Sequence, residues 1–261
     1  MLLKDKTAIV YGGGGSVGGA VARAFAREGA HVFLAGRTAE KLGKVAGEIR
    51  ANGGKAEVAI VDAMDREAVE QHLAMITNTD GPVKLMFNAI DWGDTQGDAL
   101  VDMAHERFAR PVISAMQTWF LTGTATARHM TQHGGGTILG ITANAGRYPY
   151  AMVGGFGVAC AAVEHFLRQL AVEVGPSGVR VCFVRSAGSP DAPGVEEAFK
   201  LRAVENGVSL EEVLRQAGSG SPLRHLPLLA EVADAAVLLA SDYARGMTAT
   251  IANVTCGAQV D

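Results

Sequence analysis

The residues best suited to chemistry begin at Gly12. Gly12-Gly13-Gly14-Gly15-Ser16-Val17-Gly18 follows a short apolar run and opens an amphipathic stretch. Glycines let the backbone turn sharply and approach a ligand without a Cβ clash, and a helix start offers free N–H groups at the positive end of its dipole. That combination suits a pyrophosphate. About twenty residues past such a loop, an acidic side chain would take the ribose hydroxyls of NAD; this chain has Gly36 and Arg37 there. Glycine leaves room for a further phosphate and arginine gives it a planar cationic partner, so the pair favours NADP(H).

Other candidates are scattered. Tyr148 and Tyr150, in Arg147-Tyr-Pro-Tyr-Ala-Met, offer two phenols, and Asp91 and Asp94, in Ile90-Asp-Trp-Gly-Asp, offer two carboxylates just after a strand. Arg185 ends another strand at the same edge. Cys160 lies in an alanine-rich stretch and reads as a small buried apolar residue, with Met152 and Phe156 as an apolar wall. Cys160, Cys182 and Cys256 are widely spaced and form no Cys/His ligand cluster, so reduced thiols and no metal are expected.

These residues need elements to hold them. Thr7–Tyr11, His31–Ala35, Glu57–Val61, Lys84–Phe87, Thr137–Ile141, Val179–Val184 and Thr250–Val254 read as seven strands buried on both faces. Val17, Val21, Ala24 and Phe25 fall at helical spacing between the first two strands, and Gly29 is a stop signal. Thr38 and Asp65 read as caps of the next two helices. Longer helices are expected at about Asp98–Gln132 and Gly155–Val174. The alternation predicts an α/β chain, a Rossmann-type doubly wound parallel sheet between two helical layers. The proline-punctuated stretch at about 188–227 carries Pro190, Pro193, Pro222 and Pro227, with helical pieces at Glu196–Asn206 and Leu210–Gln216, and reads as a substrate lid inserted into one domain spanning 1–261.

Composition narrows the partners. A net charge of -4 gives no basic field for nucleic acid or an anionic membrane. No stretch reaches a membrane span, and the first residues lack the apolar run of a signal peptide, so a cytoplasmic location is expected.

Several segments together resemble the short-chain dehydrogenase/reductase family over nearly the whole chain. Tyr11-Gly12-Gly13-Gly14-Gly15-Ser16-Val17-Gly18 is similar to its T-G-x-x-x-G-x-G turn, Val61-Asp62-Ala63 to its adenine-binding segment, and Phe87-Asn88-Ala89-Ile90 to its N-N-A-G. Gly178-Val-Arg-Val-Cys-Phe-Val, Ala240-Ser241-Asp242 and Val254-Thr-Cys-Gly257 resemble its last strands. The resemblance implies a seven-stranded sheet, a homotetramer or homodimer, and a cofactor held by Gly12, Ser16, Val17, Gly18, Arg37, Asp62, Ala63, Asn88 and Ala89.

It also implies a tetrad that is missing. Family members reduce carbonyls with an asparagine, a serine, a tyrosine and a lysine. A phenol protonates the oxygen, a hydroxyl holds it, an ammonium lowers the phenol's pKa, and the asparagine orders a relay water. Those positions fall on Ala115, Ala143, Phe156 and Cys160. Thr142 neighbours the serine position, but strand alternation should point it away. The catalytic residues are therefore unassigned, with Tyr148 and Tyr150 as substitutes to test. The expectation is an NADP(H)-binding oxidoreductase with a non-standard site acting on a C=C, a C=N or an unusual carbonyl. The alternatives are a non-redox cyclase or isomerase, or an inactive binding protein on the same scaffold.

Overall fold

A computed structural model describes residues 1–260, apart from the side chains at 198, 202 and 205. Its elements run β1 (Thr7–Tyr11), α1 (Ser16–Arg27), β2 (His31–Gly36), α2 (Ala39–Ala51), β3 (Lys55–Ile60), α3 (Arg66–Asp80), β4 (Leu85–Asn88), α4 (His105–Gln132), β5 (Gly136–Ala143), α5 (Gly155–Val174), β6 (Val179–Ser186), α6 (Pro193–Asn206), α7 (Leu210–Gly218), α8 (Leu229–Ala240) and β7 (Thr250–Val254). All seven strands pair in parallel in the order β3-β2-β1-β4-β5-β6-β7. The winding reverses between β1 and β4, so connections leave β1 and β4 toward opposite faces and open a crevice at their carboxyl ends.

Strands built from successive apolar residues need cover on both sides, and the core divides accordingly. Ala8 and Val10 of β1 pack into one cluster with Phe25 of α1, Leu42 of α2 and Val237 of α8. Their neighbours Ile9 and Tyr11 pack into the other, with Leu73 of α3, Trp119 of α4 and Leu167 of α5. The two edge strands depart from the expectation of burial on both faces: Glu57 and Ile60 of β3 are exposed, and β7 is half-buried along its length.

Caps and helix ends differ in detail. Asp65 accepts from the Glu67 and Ala68 amides, as its position implies. Thr38 occupies the N-cap of α2 without a side-chain cap bond. The fourth helix starts at His105 rather than near Asp98, leaving residues 91–104 as a loop. That loop is tied down. Pro111 has no N–H for the Arg107 carbonyl one turn earlier, and the Thr95 hydroxyl reaches that carbonyl at 3.4 Å. Arg110 Nε donates to Gly93 O at 3.0 Å, Gly97 N donates to Met152 O at 2.9 Å, and Arg107 pairs with Asp98.

Packing at the centre of the sheet is close. Gly140 of β5 lies beneath the fully buried Trp119, whose ring fills the place of a Cβ. Gly140→Ala should therefore overpack the core and lower unfolding free energy by about 1–3 kcal/mol, read as a lower urea midpoint.

Candidate active site

Two clefts meet at the carboxyl edge of the sheet. The first, about 320 Å³, is bordered by Gly12, Gly14 and Gly15 of the turn, by Arg37 and Lys41 beyond β2, and by Asp62 and Ala63 beyond β3. Gly12 has φ +72°, and a Cβ on it would collide with Ala89 O; a Cβ on Gly18 would collide with Gly12 O. The turn thus closes onto the end of β4 only because both positions lack side chains. No side chain caps α1, so its first amides are left to a ligand. The Arg37 guanidinium and the Lys41 ammonium have no ion-pair partner among the described residues, so two unpaired cations border this cleft. A dinucleotide's phosphates fit such a donor set.

The second cleft, about 250 Å³, shares Ile90 and Asp91 with the first. Its walls are mostly apolar: Val17, Ile141, Ala143, Phe156, Val195 and Leu229 contribute. Trp92 and Phe156 lie with ring centroids 6.0 Å apart and planes at 42°. Asp94, Thr142, Cys160, Ser186 and Ser189 add the polar atoms.

Behind this cleft lies a buried ion pair. Arg185, 2 % exposed, reaches Glu164, 4 % exposed, through Nη2 at 2.9 Å and Nε at 3.3 Å, and Thr142 Oγ1 donates to Glu164 Oε1 at 3.1 Å. Glu164 lies one helical turn after Cys160, at a spacing that sets both on one face of α5. Burial pushes the Cys160 thiol up to about 11, with hydrogen bonding to the Ala143 backbone and the Thr142 side chain opposing and the Glu164 and Asp94 charges adding to the rise. It is a neutral thiol, not a nucleophile.

The comparisons with known proteins agree with this architecture. Residues 13–259 match a family model described as enoyl-(acyl carrier protein) reductase. An uncharacterized oxidoreductase of Mycobacterium tuberculosis is 31% identical over 256 residues, covering 98% of this chain and 92% of its own length. The chain belongs to the short-chain dehydrogenase/reductase family. It is an oxidoreductase-type member. A 2,3-dihydro-2,3-dihydroxybenzoate dehydrogenase of Bacillus subtilis is 26% identical over 94% of this chain and 93% of its own length. The crystal structure of a short-chain dehydrogenase/reductase from Burkholderia xenovorans superimposes with a TM-score of 0.84 at 28% identity, covering 99% of each chain.

Within that family frame the structure relocates several residues singled out in the sequence. Ala143, Phe156 and Cys160 border the apolar cleft, whereas Ala115 is fully buried away from it. Thr142 borders the cleft beside Ala143, against the alternation argument, because the cleft sits over the strand's end and not over one face. Tyr148 and Tyr150 do not line it. Tyr148 donates to Val260 O at 2.8 Å, and the Tyr150 hydroxyl accepts from Asn144 Nδ2 at 3.0 Å and Gln259 Nε2 at 3.1 Å, so the two phenols hold the C-terminal segment. Arg185 ends β6 as expected but is committed to Glu164.

The cofactor set is likewise redistributed. Gly12, Arg37, Asp62, Ala63 and Ala89 border the first cleft, and Val17 borders the second. Asn88 faces inward instead: its Nδ2 donates to Thr122 Oγ1 and its Oδ1 accepts from Ile90 N, so it shapes the strand end without bordering either cleft. Ser16 and Gly18 border neither and lie in the first turn of α1. Lys41 was not singled out because a lysine on an exposed helix face carries no distinguishing sequence signal.

Two histidine groupings also emerge. His129 and His133, one helical turn apart on α4, stack at 4.3 Å, with His129 Nε2 accepting from Val83 N and His133 Nδ1 donating to His129 O. His225, Glu231 and Cys256 bring ligand-type atoms within 4.8 Å of one another. There His225 Nδ1 lies 2.9 Å from Leu226 O and so carries a proton, while Glu231 accepts from Leu228 N at the start of α8. Their separation along the chain hides this trio from a motif reading.

Two outcomes follow from the site's geometry. Glu164→Ala should cost about 3–5 kcal/mol of stability in urea unfolding, since it leaves the buried Arg185 charge without its carboxylate. Iodoacetamide at about pH 8.5, where an ordinary thiol is half ionised, should spare Cys160. Its labelling should set in only as pH approaches 11 and the thiolate forms.

Proposed function

We propose that this chain is an NADP(H)-dependent oxidoreductase with a non-standard active site, acting on a small molecule held in the apolar cleft. The observation that carries the reading is the continuity of the two clefts through Ile90 and Asp91, with phosphate-suited groups at one end and apolar walls at the other. Of the curated relatives, an L-rhamnose 1-dehydrogenase of Azotobacter vinelandii, 29% identical over 254 residues, is named for NAD(P)(+).

The glycine turn and the amides of Ser16, Val17 and Gly18 would hold the pyrophosphate, and Asp62, Ala63 and Ala89 the adenosine. Arg37, aided by Lys41, would pair with the 2′-phosphate. A reduced nicotinamide supplies a hydride when bound. The chain's own residues then serve to shape and dry the cleft: Val17, Ile141, Ala143 and Phe156 exclude water, which strengthens every charge interaction inside. Residues 188–227 form a lid in this reading, since Gly188, Ser189, Ala192 and Val195 border the cleft. The absence of a phenol there favours an acceptor such as a C=N or activated C=C, or an unusual carbonyl, over an ordinary ketone.

The vacated tetrad positions also support a second reading, a cyclase, isomerase or binding protein on the same scaffold, whose mark would be turnover or binding without net NADPH oxidation. Exposed Ile113 and Phe120 on α4 and Val158 and Val172 on α5 are consistent with a homo-oligomer.

Calorimetric titration tests the cofactor assignment. Wild-type protein should bind NADPH, and Arg37→Ala should weaken NADPH about tenfold, the equivalent of about 1.4 kcal/mol, with little effect on NADH. Absence of NADPH binding at about 1 mM, where only about 4 kcal/mol of affinity is needed, would overturn the reading.

A further inference from the structure

The apolar cleft carries charge of one sign. Asp91 and Asp94 border it, and no arginine, lysine or histidine is among its described lining residues. Neither aspartate has an ion-pair partner among the described residues. Asp91 Oδ1 accepts from Gly93 N at 2.8 Å and Asp94 Oδ2 from Gln96 Nε2 at 2.8 Å, which leaves each carboxylate a second oxygen. The nearby cations of α4 are engaged elsewhere, Arg110 with Gly93 O and Arg107 with Asp98. Asp91 is exposed and Asp94 half-buried, so water solvates both, and they are the only formal charges among the cleft's described lining residues.

The neutral polar atoms are of both kinds: the Trp92 ring N–H, buried and without a hydrogen-bond partner, is a donor, while the hydroxyls can accept. Thr142 gives its proton to Glu164, whose carboxylate is held by Arg185, so it can offer a ligand only lone pairs. Ser189 is 6 % exposed and borders the cleft, and its hydroxyl has no hydrogen-bond partner among the described residues. That hydroxyl is free to accept from a ligand or to donate to one. Trp92 and Phe156 add aromatic walls to the cleft.

We infer that the cleft binds a cationic C=N substrate, an iminium ion or a protonated imine, with Asp91 and Asp94 as the counter-charge and Thr142 and Ser189 as acceptors for any N–H. The inference rests on the oxidoreductase reading above and names its substrate class. In the net reaction the imine carbon gains a hydride from the reduced nicotinamide, which becomes the oxidised pyridinium, and the C=N π pair becomes the nitrogen lone pair. Nitrogen loses its positive charge, no oxygen needs a proton, and the missing phenol is not required.

The carboxylates act before hydride transfer, not during it. They bind the cation and keep an imine nitrogen protonated, which makes its carbon electrophilic. Because the charge disappears on reduction, they favour the bound substrate more than the product. A ketone would instead develop negative charge beside two carboxylates and is selected against. The cleft's volume of about 250 Å³ suits a mono- or bicyclic ring system.

The test uses the full chain with an N-methyl dihydroisoquinolinium ion, the neutral ketone tetralone of similar shape, and a non-reducible N,N-dimethyl tetrahydroisoquinolinium ion. The iminium should oxidise NADPH stoichiometrically while tetralone does not. Calorimetry should show the non-reducible cation binding with or without cofactor. Asp94→Asn should weaken that binding about ten- to a hundredfold and raise the iminium KM by the same factor, with kcat within about threefold, the signature of lost ground-state binding. Where thermal melting shows Asp94→Asn unfolded, Asp91→Asn carries the same expectation. Equal reduction of tetralone, or cation affinity unchanged in the folded variant, would overturn the substrate assignment. NADPH binding with no cation binding would overturn it too while leaving the oxidoreductase reading intact. Cation binding without NADPH binding would sustain the cleft's preference and overturn the parent reading.

Discussion

The site depends on one contact, the approach of Gly12 to the end of β4. β1 lies at the point where the sheet reverses its winding, and the turn leaving it must pass directly against Ala89 before entering α1. Gly12 takes a left-handed conformation there with no room for a Cβ, and Gly18 closes the same turn from the first helical turn. Ala89, Ile90 and Asp91 follow β4 in sequence and border the clefts in space. Separation of the turn from β4 by the width of a methyl group would alter both at once, since the glycine-turn end and the apolar end are continuous through those residues.

What the sequence revealed follows from what each signal measures. Runs such as Ala8-Ile-Val-Tyr and Val181-Cys-Phe-Val announced strands because both faces of the sheet are covered, and the same logic failed at β3, whose outer edge meets solvent. The glycine turn and Arg37 were legible because backbone approach and charge are local properties. Thr142 was misread because alternation describes the faces of a strand, while the cleft sits over its end. Tyr148 and Tyr150 were plausible from proximity in sequence, but their partners Gln259 and Val260 lie more than a hundred residues away, and no local pattern records that distance. The Glu164–Arg185 pair, between α5 and β6, was hidden for the same reason.

That pair governs more than stability. A carboxylate and a guanidinium both removed from water need each other, and the low dielectric that strengthens their attraction also orients every hydroxyl within reach. Thr142 is the hydroxyl in reach, so a charge pair in the interior decides that a cleft-lining oxygen faces a ligand as an acceptor. The polarity of the cleft is thereby set from behind, by residues that do not border it.

The residues at the positions read as the family's tetrad fit the same arrangement. α5 packs so closely on the turn after β5 that a Cβ on Gly146 would lie 2.9 Å from Cys160 Cβ and 3.0 Å from Glu164 Oε1. A small apolar side chain at 160 suits that contact, and Glu164 already draws its counter-charge from Arg185 on β6. A lysine at 160, the family's usual choice, would bring a third cation toward Glu164, after Arg185 and Arg168, and place positive charge beside Asp91 and Asp94 in the cleft. It would thereby neutralise the anionic wall and compete with a cationic ligand. Cys160 at the position read as the family's lysine, the buried pair and the unpaired aspartates are therefore mutually consistent, as one distribution of charge at the carboxyl edge of the sheet.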